Sequence, residues 1–473
     1  MGELFPSNDL RTEPAGSQME GNAHGSERPL RGLCFSFHHS NAGAVGSRRF
    51  RNLVKQLDSH DIYLDVVSGR VKDKQSDTQV IPAGNFAPFS TLLRWLNRIR
   101  SKSNANGSQG DATLTLGTAD HKVLSDEAMT EDRSFRSLLL SFESLPDGDS
   151  GWILPAIRAG LRQRGKYDFV ISTAPPWSSH LAAIVVGRLR GLPVILDDRD
   201  PWADSPGRML YMTHPWMRRF DRWLAAQCYR RAAGIVCVTE PSCWLHRDRP
   251  YGAKVPIVCL SNGFDPELTR RAVPPSAHNR LVISYAGSLY HGRSPMVVLK
   301  PALSLPAEIA RDFHFHFVGI ISENEAEAIN LVQKPFEVTL HGAQSHEFCL
   351  DIVGQSDVCL LLAICQPSQV PAKLYEYIGL GRPVLSISDK GDATMKELGG
   401  QDWAWACAIE DENGLRTALL DIHRRWKNRD MPRIDEAIAG RYSFATIARD
   451  YAAFIAMVLK NRSRGGKNSS QNS

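Results

Sequence analysis

The chain has 473 residues, 42% of them hydrophobic, with 56 Lys and Arg against 51 Asp and Glu. That is too long for one ordinary domain and ample for two α/β domains with sizeable cores. A net charge of +5 spread over this length is too slight for a nucleic-acid-binding surface, and no apolar run approaches the roughly 18 residues of a membrane span.

Residues 1–30 are rich in Gly, Ser, Pro, Glu and Asn and lack the apolar centre of a signal peptide, so they read as a loose tail and point to a cytoplasmic setting. The nine cysteines fit that setting. None forms a C-x-x-C pair, and several lie in apolar runs such as Val236-Cys237-Val238, as buried reduced thiols do. From Leu33 onward, short apolar runs alternate with helical patterns. Strands are expected at 33–37, 62–67, 169–172, 193–196, 234–238 and 255–260, with helices from Ser47, over 178–190 and over 216–231. Continuous apolar strands separated by helices imply a parallel sheet covered on both faces.

An insertion at 72–150 interrupts this rhythm. Within 86–102 it carries Phe89, Leu92, Leu93, Trp95, Leu96 and Ile99 beside Arg94, Arg98, Arg100 and Lys102, a basic amphipathic helix suited to peripheral contact with a membrane. A second alternating series follows a Pro-containing stretch, with strands at 281–285, 313–318, 338–341, 358–362 and 383–387. Helices are expected at 295–303, 323–332, 347–353, 372–378, 411–426 and 445–459, and a short tail at 462–473.

In open parallel sheets, ligands bind beyond the carboxyl ends of the strands, so the strand-to-helix junctions hold the candidate residues. The first junction is His38-His39-Ser40-Asn41-Ala42-Gly43-Ala44-Val45-Gly46-Ser47-Arg48-Arg49, where glycines let backbone amides approach a ligand as a helix opens. The second spans Tyr167-Asp168-Phe169-Val170-Ile171 and Asp197-Asp198-Arg199-Asp200-Pro201-Trp202. The third is Gly287-Ser288-Leu289 followed by His291-Gly292-Arg293. The fourth is Pro371-Ala372-Lys373-Leu374-Tyr375-Glu376-Tyr377, ending Gly381-Arg382-Pro383-Val384, with Lys373 and Glu376 one helical turn apart.

Together these junctions resemble the retaining GT-B glycosyltransferases, in particular family 4-like members of polysaccharide and lipopolysaccharide pathways. The resemblance implies an α/β fold of two Rossmann-like parallel-sheet domains facing across a cleft. Residues 31–268 would form the acceptor domain and 269–440 the nucleotide-sugar domain, with a C-terminal helix at 441–461 crossing back onto the first. It implies a donor site of Gly43, Gly46, Gly287, Ser288, Arg293, Lys373 and Glu376. Arg293 and Lys373 would lie on the diphosphate and Glu376 on the ribose. An acceptor side of Arg199, Asp200 and Trp202 follows, with Asp200 as the candidate base. Ser368 stands where many members carry a further glutamate, which puts that sugar contact in doubt.

The implied partners are a nucleotide-sugar donor and a glycan or polyprenyl-diphosphate-linked acceptor; no cofactor or metal is expected. Asp198-Arg199-Asp200 is formally an Asp-x-Asp motif, but the cations already supply partners for a leaving diphosphate. A nucleotide-sugar 2-epimerase of the same fold, or a non-catalytic nucleotide-sugar binder, are the alternative readings.

Overall fold

The computed structural model describes residues 28–39, 45–69, 79–86, 145–202, 215–270, 279–289 and 293–469. Gly43, most of the insertion including the helix expected within 86–102, and most of the N-terminal tail lie outside the described residues.

The first sheet holds β1 (Leu30–Phe35), β2 (Ile62–Ser68), β3 (Val80–Pro82), β4 (Phe169–Ala174), β5 (Val194–Asp198), β6 (Gly234–Cys237) and β7 (Ile257–Cys259). The second holds β8 (Leu281–Ala286), β9 (Phe313–Val318), β10 (Glu337–Leu340), β11 (Val358–Ala363), β12 (Val384–Ser388) and β13 (Ala404–Ala408). Every pairing is parallel, in the orders β3-β2-β1-β4-β5-β6-β7 and β10-β9-β8-β11-β12-β13. Renumbered within its own half, the second sheet runs 3-2-1-4-5-6 and the first 3-2-1-4-5-6-7, so each has a switch point where the winding reverses: between β1 and β4, and between β8 and β11. All six residues of β4, β8 and β11 are buried, as expected of strands covered on both faces.

The helices are α1 (Val45–Leu57), α2 (Ile153–Arg162), α3 (Ser178–Arg190), α4 (Pro215–Tyr229), α5 (Glu240–Arg247), α6 (Met296–Leu303), α7 (Glu323–Leu331), α8 (His346–Gly354), α9 (Lys373–Gly379), α10 (Ala393–Leu398), α11 (Glu412–Lys427), α12 (Glu436–Arg441) and α13 (Phe444–Ser469), with single turns at 267–270 and 307–310. Local chemistry sets their ends. Thr239, Ser322, Ser345, Asp392 and Asp411 each accept a backbone N–H at a helix start. Gly191, at φ +65°, stops α3 in the left-handed conformation that glycine adopts without strain.

The chain crosses between halves twice, and the crossings touch: Phe264 N donates to Tyr442 O (3.0 Å) and Phe444 N to Phe264 O (2.9 Å). From there α13 returns to the first half. Its Phe444, Ile447, Tyr451, Phe454, Ile455 and Val458 join Phe50, Leu53 and Val54 of α1 over Cys34, Ile171, Ile195 and Val236 of the sheet. Gly234 makes room for it, since a side chain on that strand residue would meet the Phe454 ring at 2.8 Å.

Two sequence expectations are corrected at the chain ends. Strand β1 starts at Leu30, inside the expected tail, where Arg28 pairs with Asp168 at 2.5 Å and Arg31 N donates to the same carboxylate. Helix α13 continues to Ser469 through most of the expected 462–473 tail, because extending a helix already nucleated costs far less than starting one.

Candidate functional site

The segments beyond the carboxyl ends of β1, β5 and β6 meet the segment beyond β11, and side chains cross between the halves. Gln369 Nε2 donates to Asp200 Oδ1 at 2.5 Å, Thr239 Oγ1 donates to the Ser368 carbonyl at 2.7 Å, and Arg48 Nη1 donates to Glu376 Oε1 at 3.3 Å. Ser368 thus meets the first half through its backbone oxygen, at the capped start of α5.

On the second half, Gly287 ends β8 with φ +149°, a conformation natural to glycine alone, and its N–H donates to Val318 O at 2.6 Å. The Lys373 ammonium lies against its bare α-carbon: a Cβ at Gly287 would collide with Lys373 Nζ. The same ammonium sits 4.7 Å above the Tyr285 ring and 3.5 Å from its hydroxyl. Burial, reinforced by the positive charge of Arg293, pulls the Lys373 pKa from 10.5 down to about 8. Glu376 does not neutralise it by a direct ion pair, since its Oε1 accepts from His346 Nε2 at 2.9 Å as well as from Arg48. Ser288, after Gly287, is half-buried, and its carbonyl accepts from Tyr285 Oη at 3.3 Å.

On the first half, α1 starts at Val45, with Gly46 as its second residue, so its N-terminal amides follow the β1 end. Consecutive arginines of this helix part ways. Arg48 reaches Glu376, whereas Arg49 is buried and donates to the carbonyls of Ser261 and Leu260 and lies 3.5 Å from Asp197.

The β5 end separates three acidic roles. Asp197 accepts from Thr173 Oγ1 at 2.7 Å. Asp198 is wholly buried; its Oδ2 accepts from Tyr229 Oη (2.7 Å) and His246 Nε2 (2.9 Å), and its Oδ1 lies 3.5 Å from His180 Nε2. Burial alone would raise the Asp198 pKa, but the two histidines hold it below the usual carboxylate range. Burial alone would lower that of His246, but Asp198 holds it above the usual histidine value. Asp200 is half-buried, and burial raises its pKa against the opposing pull of Arg199. Asp198 and Asp200 therefore do not converge, one entering the core and the other reaching Gln369.

Two acceptor-side expectations are corrected. Trp202 is fully buried. Its Nε1 donates to Asp221 Oδ1 at 2.9 Å and its ring stacks near Trp177, so it is a core residue that anchors the loop after β5. Arg199 turns back on its own domain, donating to the carbonyls of Ala174 and Pro175 at 3.0 Å each, so it braces the β4–α3 turn.

Arg48 and His346 also belong to this site; the first motif contains Arg48 without marking it as a site residue, and no motif contains His346. Arg48 lies next to the glycine loop, but its meeting with Glu376 bridges 328 positions, and His346 announces itself only as the residue after a Ser cap. Elsewhere, Glu240, Cys243 and Cys259 place ligand-type atoms within 4.8 Å of one another, a grouping that includes neither Asp198 nor Asp200. All nine cysteines are free thiols. Among the described residues, no helix is long and apolar enough to cross a membrane.

No protein-family model matches the chain, and no curated protein matches it in sequence. Solved structures do match in shape. A glycosyltransferase from Rickettsia africae superposes with a TM-score of 0.53 at 12% identity, over 92% of this chain and 100% of that one. HepE of Anabaena, solved in complex with UDP-glucose, superposes with a TM-score of 0.51 at 10% identity, over 93% of this chain and 100% of its own. The N-terminal domain of a Candida albicans trehalose-6-phosphate phosphatase gives 0.55 at 11% identity, over 93% and 98%. The molecule therefore has the GT-B fold: two Rossmann-like parallel-sheet halves facing one another, with the last helix returning to the first half. At these identities the likeness is one of fold, and the chemistry has to be argued from the site.

Proposed function

We propose that this chain is a glycosyltransferase that moves a hexose-type sugar from a nucleotide-sugar donor to a hydroxyl of a glycan or lipid-linked acceptor, with retained anomeric configuration and no required metal. One observation carries the reading: Lys373, pressed against Gly287 at the end of β8, is a desolvated cation with Arg293 for company. A desolvated ammonium at a strand end beside a switch point, within electrostatic reach of a second positive charge, suits an anion, and a nucleoside diphosphate supplies it.

The acceptor oxygen bonds to the anomeric carbon as the bond from that carbon to the β-phosphate oxygen breaks, and the nucleoside diphosphate leaves with the electron pair. Lys373 and Arg293 hold the charge that grows on that phosphate, which is the contribution a metal makes elsewhere. Glu376, oriented by Arg48 and His346, accepts from the donor ribose. Asp200 receives the acceptor proton; Gln369 holds its Oδ1, and a raised pKa strengthens it as a base. Gly46 and the start of α1 cover the phosphates from the other half, with Gly287 and Ser288 beneath them. Solved HepE with UDP-glucose supports a nucleotide-sugar partner for this fold.

Thermal unfolding with UDP-, GDP-, ADP- and dTDP-sugars tests the donor site. The true donor at one hundred times its Kd adds about 2.7 kcal/mol of stability. No stabilisation by any of them overturns the reading. Turnover that needs no acceptor would instead identify an epimerase. Asp200→Asn should slow transfer far more than it weakens donor binding; equal losses would make Asp200 structural.

A further inference from the structure

We infer that the outer face of α4 docks on an anionic lipid bilayer, seating the Asp200 rim of the cleft at the membrane surface. The inner face of this helix is ordinary: Met217, Asp221, Ala225 and Cys228 recur every three to four residues and are buried. The outer face is not. Trp216, Phe220 and Trp223 are 45%, 43% and 54% exposed and fall on one stripe, and the rings of Phe220 and Trp223 stack with centroids 5.6 Å apart. A surface helix of a globular domain turns polar residues to water, and large aromatics in a row mark a binding face.

Charge chooses the occupant. Arg219 and Arg222 are exposed on the same side of the helix as the aromatics, and Arg218 is half-buried on the far flank. The one acidic residue of the helix, Asp221, is buried and bound to Trp202. The face is therefore aromatic and cationic with no acidic counterweight of its own. This pairing suits a bilayer surface, with indole rings at headgroup level and guanidinium groups on anionic lipid phosphates.

The docking face is mechanically joined to the cleft. On the opposite side of α4, Asp221 accepts from Trp202 Nε1 at 2.9 Å, and Tyr229 Oη accepts from Trp202 N at 3.3 Å, two residues after Asp200. A bilayer under α4 would present a lipid-linked acceptor to the Asp200 side. Only that consequence rests on the transferase reading; the docking does not.

The test is co-sedimentation of the full chain with vesicles of phosphatidylcholine alone or mixed with phosphatidylglycerol, at low and high salt. Binding to the mixed vesicles is expected, weakening with salt and accompanied by a blue shift of tryptophan emission. The combined Trp216→Ser, Phe220→Ser and Trp223→Ser variant should partition at least about tenfold less, and Arg219→Gln and Arg222→Gln together about thirtyfold less. Leu154→Ser, which alters an exposed apolar residue on α2, should bind as the parent does. The inference is overturned if the parent ignores the mixed vesicles, or if both combined variants bind as the parent does, which would place the contact on another surface. Nucleotide-sugar melting shifts measured on the same variants keep the two proposals separable: vesicle binding without any donor response sinks the transferase reading alone.

Discussion

Both sheets end at the cleft in a cluster of ionisable side chains, and the two clusters are built in opposite ways. At the end of β5, the Asp198 carboxylate is enclosed by His246, His180 and Tyr229, and His246 passes the chain on to Tyr251 at 2.9 Å. Charge there is answered within the fold. At the end of β8, burial and the positive charge of Arg293 act on the Lys373 ammonium, while the nearby carboxylate of Glu376 is bonded to Arg48 and His346. Lys373 there feels the positive charge of Arg293 and makes no direct ion pair with Glu376. A buried network satisfied from within fixes a structure; one that concentrates a single sign of charge stores an affinity. Asp198 is buried at a strand end and Lys373, half-buried at the start of α9, lies against Gly287 just beyond another, yet their removal should act on different observables.

The largest effect is expected at the self-contained cluster. Asp198→Ala strips the partner from two buried histidines and a buried tyrosine, and should cost about 3–5 kcal/mol in urea unfolding. A loss below about 1 kcal/mol would mean that the network is not what holds the β5 end. Lys373→Ala should do the reverse. Removing a desolvated cation beside another cation should leave stability within about 1 kcal/mol of the parent or raise it, while nucleoside-diphosphate affinity falls by about 1.5–3 kcal/mol in calorimetric titration. If unfolding stability dropped as steeply as for Asp198→Ala, Lys373 would be a structural ion and the contrast would dissolve.

Gly287→Ala sharpens the same contrast from the backbone side. The new methyl group needs the space now filled by the Lys373 ammonium, and a lysine tip can swing away. The strained φ should cost about 1–3 kcal/mol of stability, and the displaced ammonium should weaken nucleotide binding as Lys373→Ala does. A double variant, Gly287→Ala with Lys373→Ala, should then bind no worse than either single change. Additive losses in binding would separate the two residues.

Much of this architecture is legible in the amino-acid sequence, for definite reasons. Strand Phe313–Val318 and helix Ser178–Arg190 fall where the pattern puts them, because uninterrupted apolar runs and a following Gly191 are local signals. Strand β13, Ala-Trp-Ala-Cys-Ala, carries little strand propensity of its own and forms because it completes the sheet beside β12; helix α2 hides behind Pro155 in its first turn. Within the site, motifs pick out Lys373 and Gly287, but their contact joins strand β8 to helix α9, and no spacing rule connects them. Trp202 fails for a related reason: proximity to Asp200 in sequence does not say which way an indole turns, and here Asp221 on α4 captures it.

The smallest expected effect, and the one that reads Lys373 directly, is on pH. With its folded pKa near 8 and an ordinary value of 10.5, the unfolded chain holds more protons than the folded one between those limits. Stability should therefore rise as pH climbs through that window, because folding no longer has to bury an ammonium. Ligand affinity should move the other way. A diphosphate needs the ammonium, so binding should be level below about pH 8 and fall by roughly tenfold for each unit above it. The groups around Lys373 do not reverse that sign: Arg293 and Arg48 favour its neutral form, while Glu376 and the Cys349 thiol favour the charged one. Titrating UDP into the parent and into Lys373→Ala at pH 7 and pH 9 isolates the effect. The parent should lose affinity across that span, with proton uptake on binding near pH 8, and the variant should lose none. Equal pH profiles for the two would mean that the ammonium is not on the ligand, and the cluster at β8 would then be as self-contained as the one at β5.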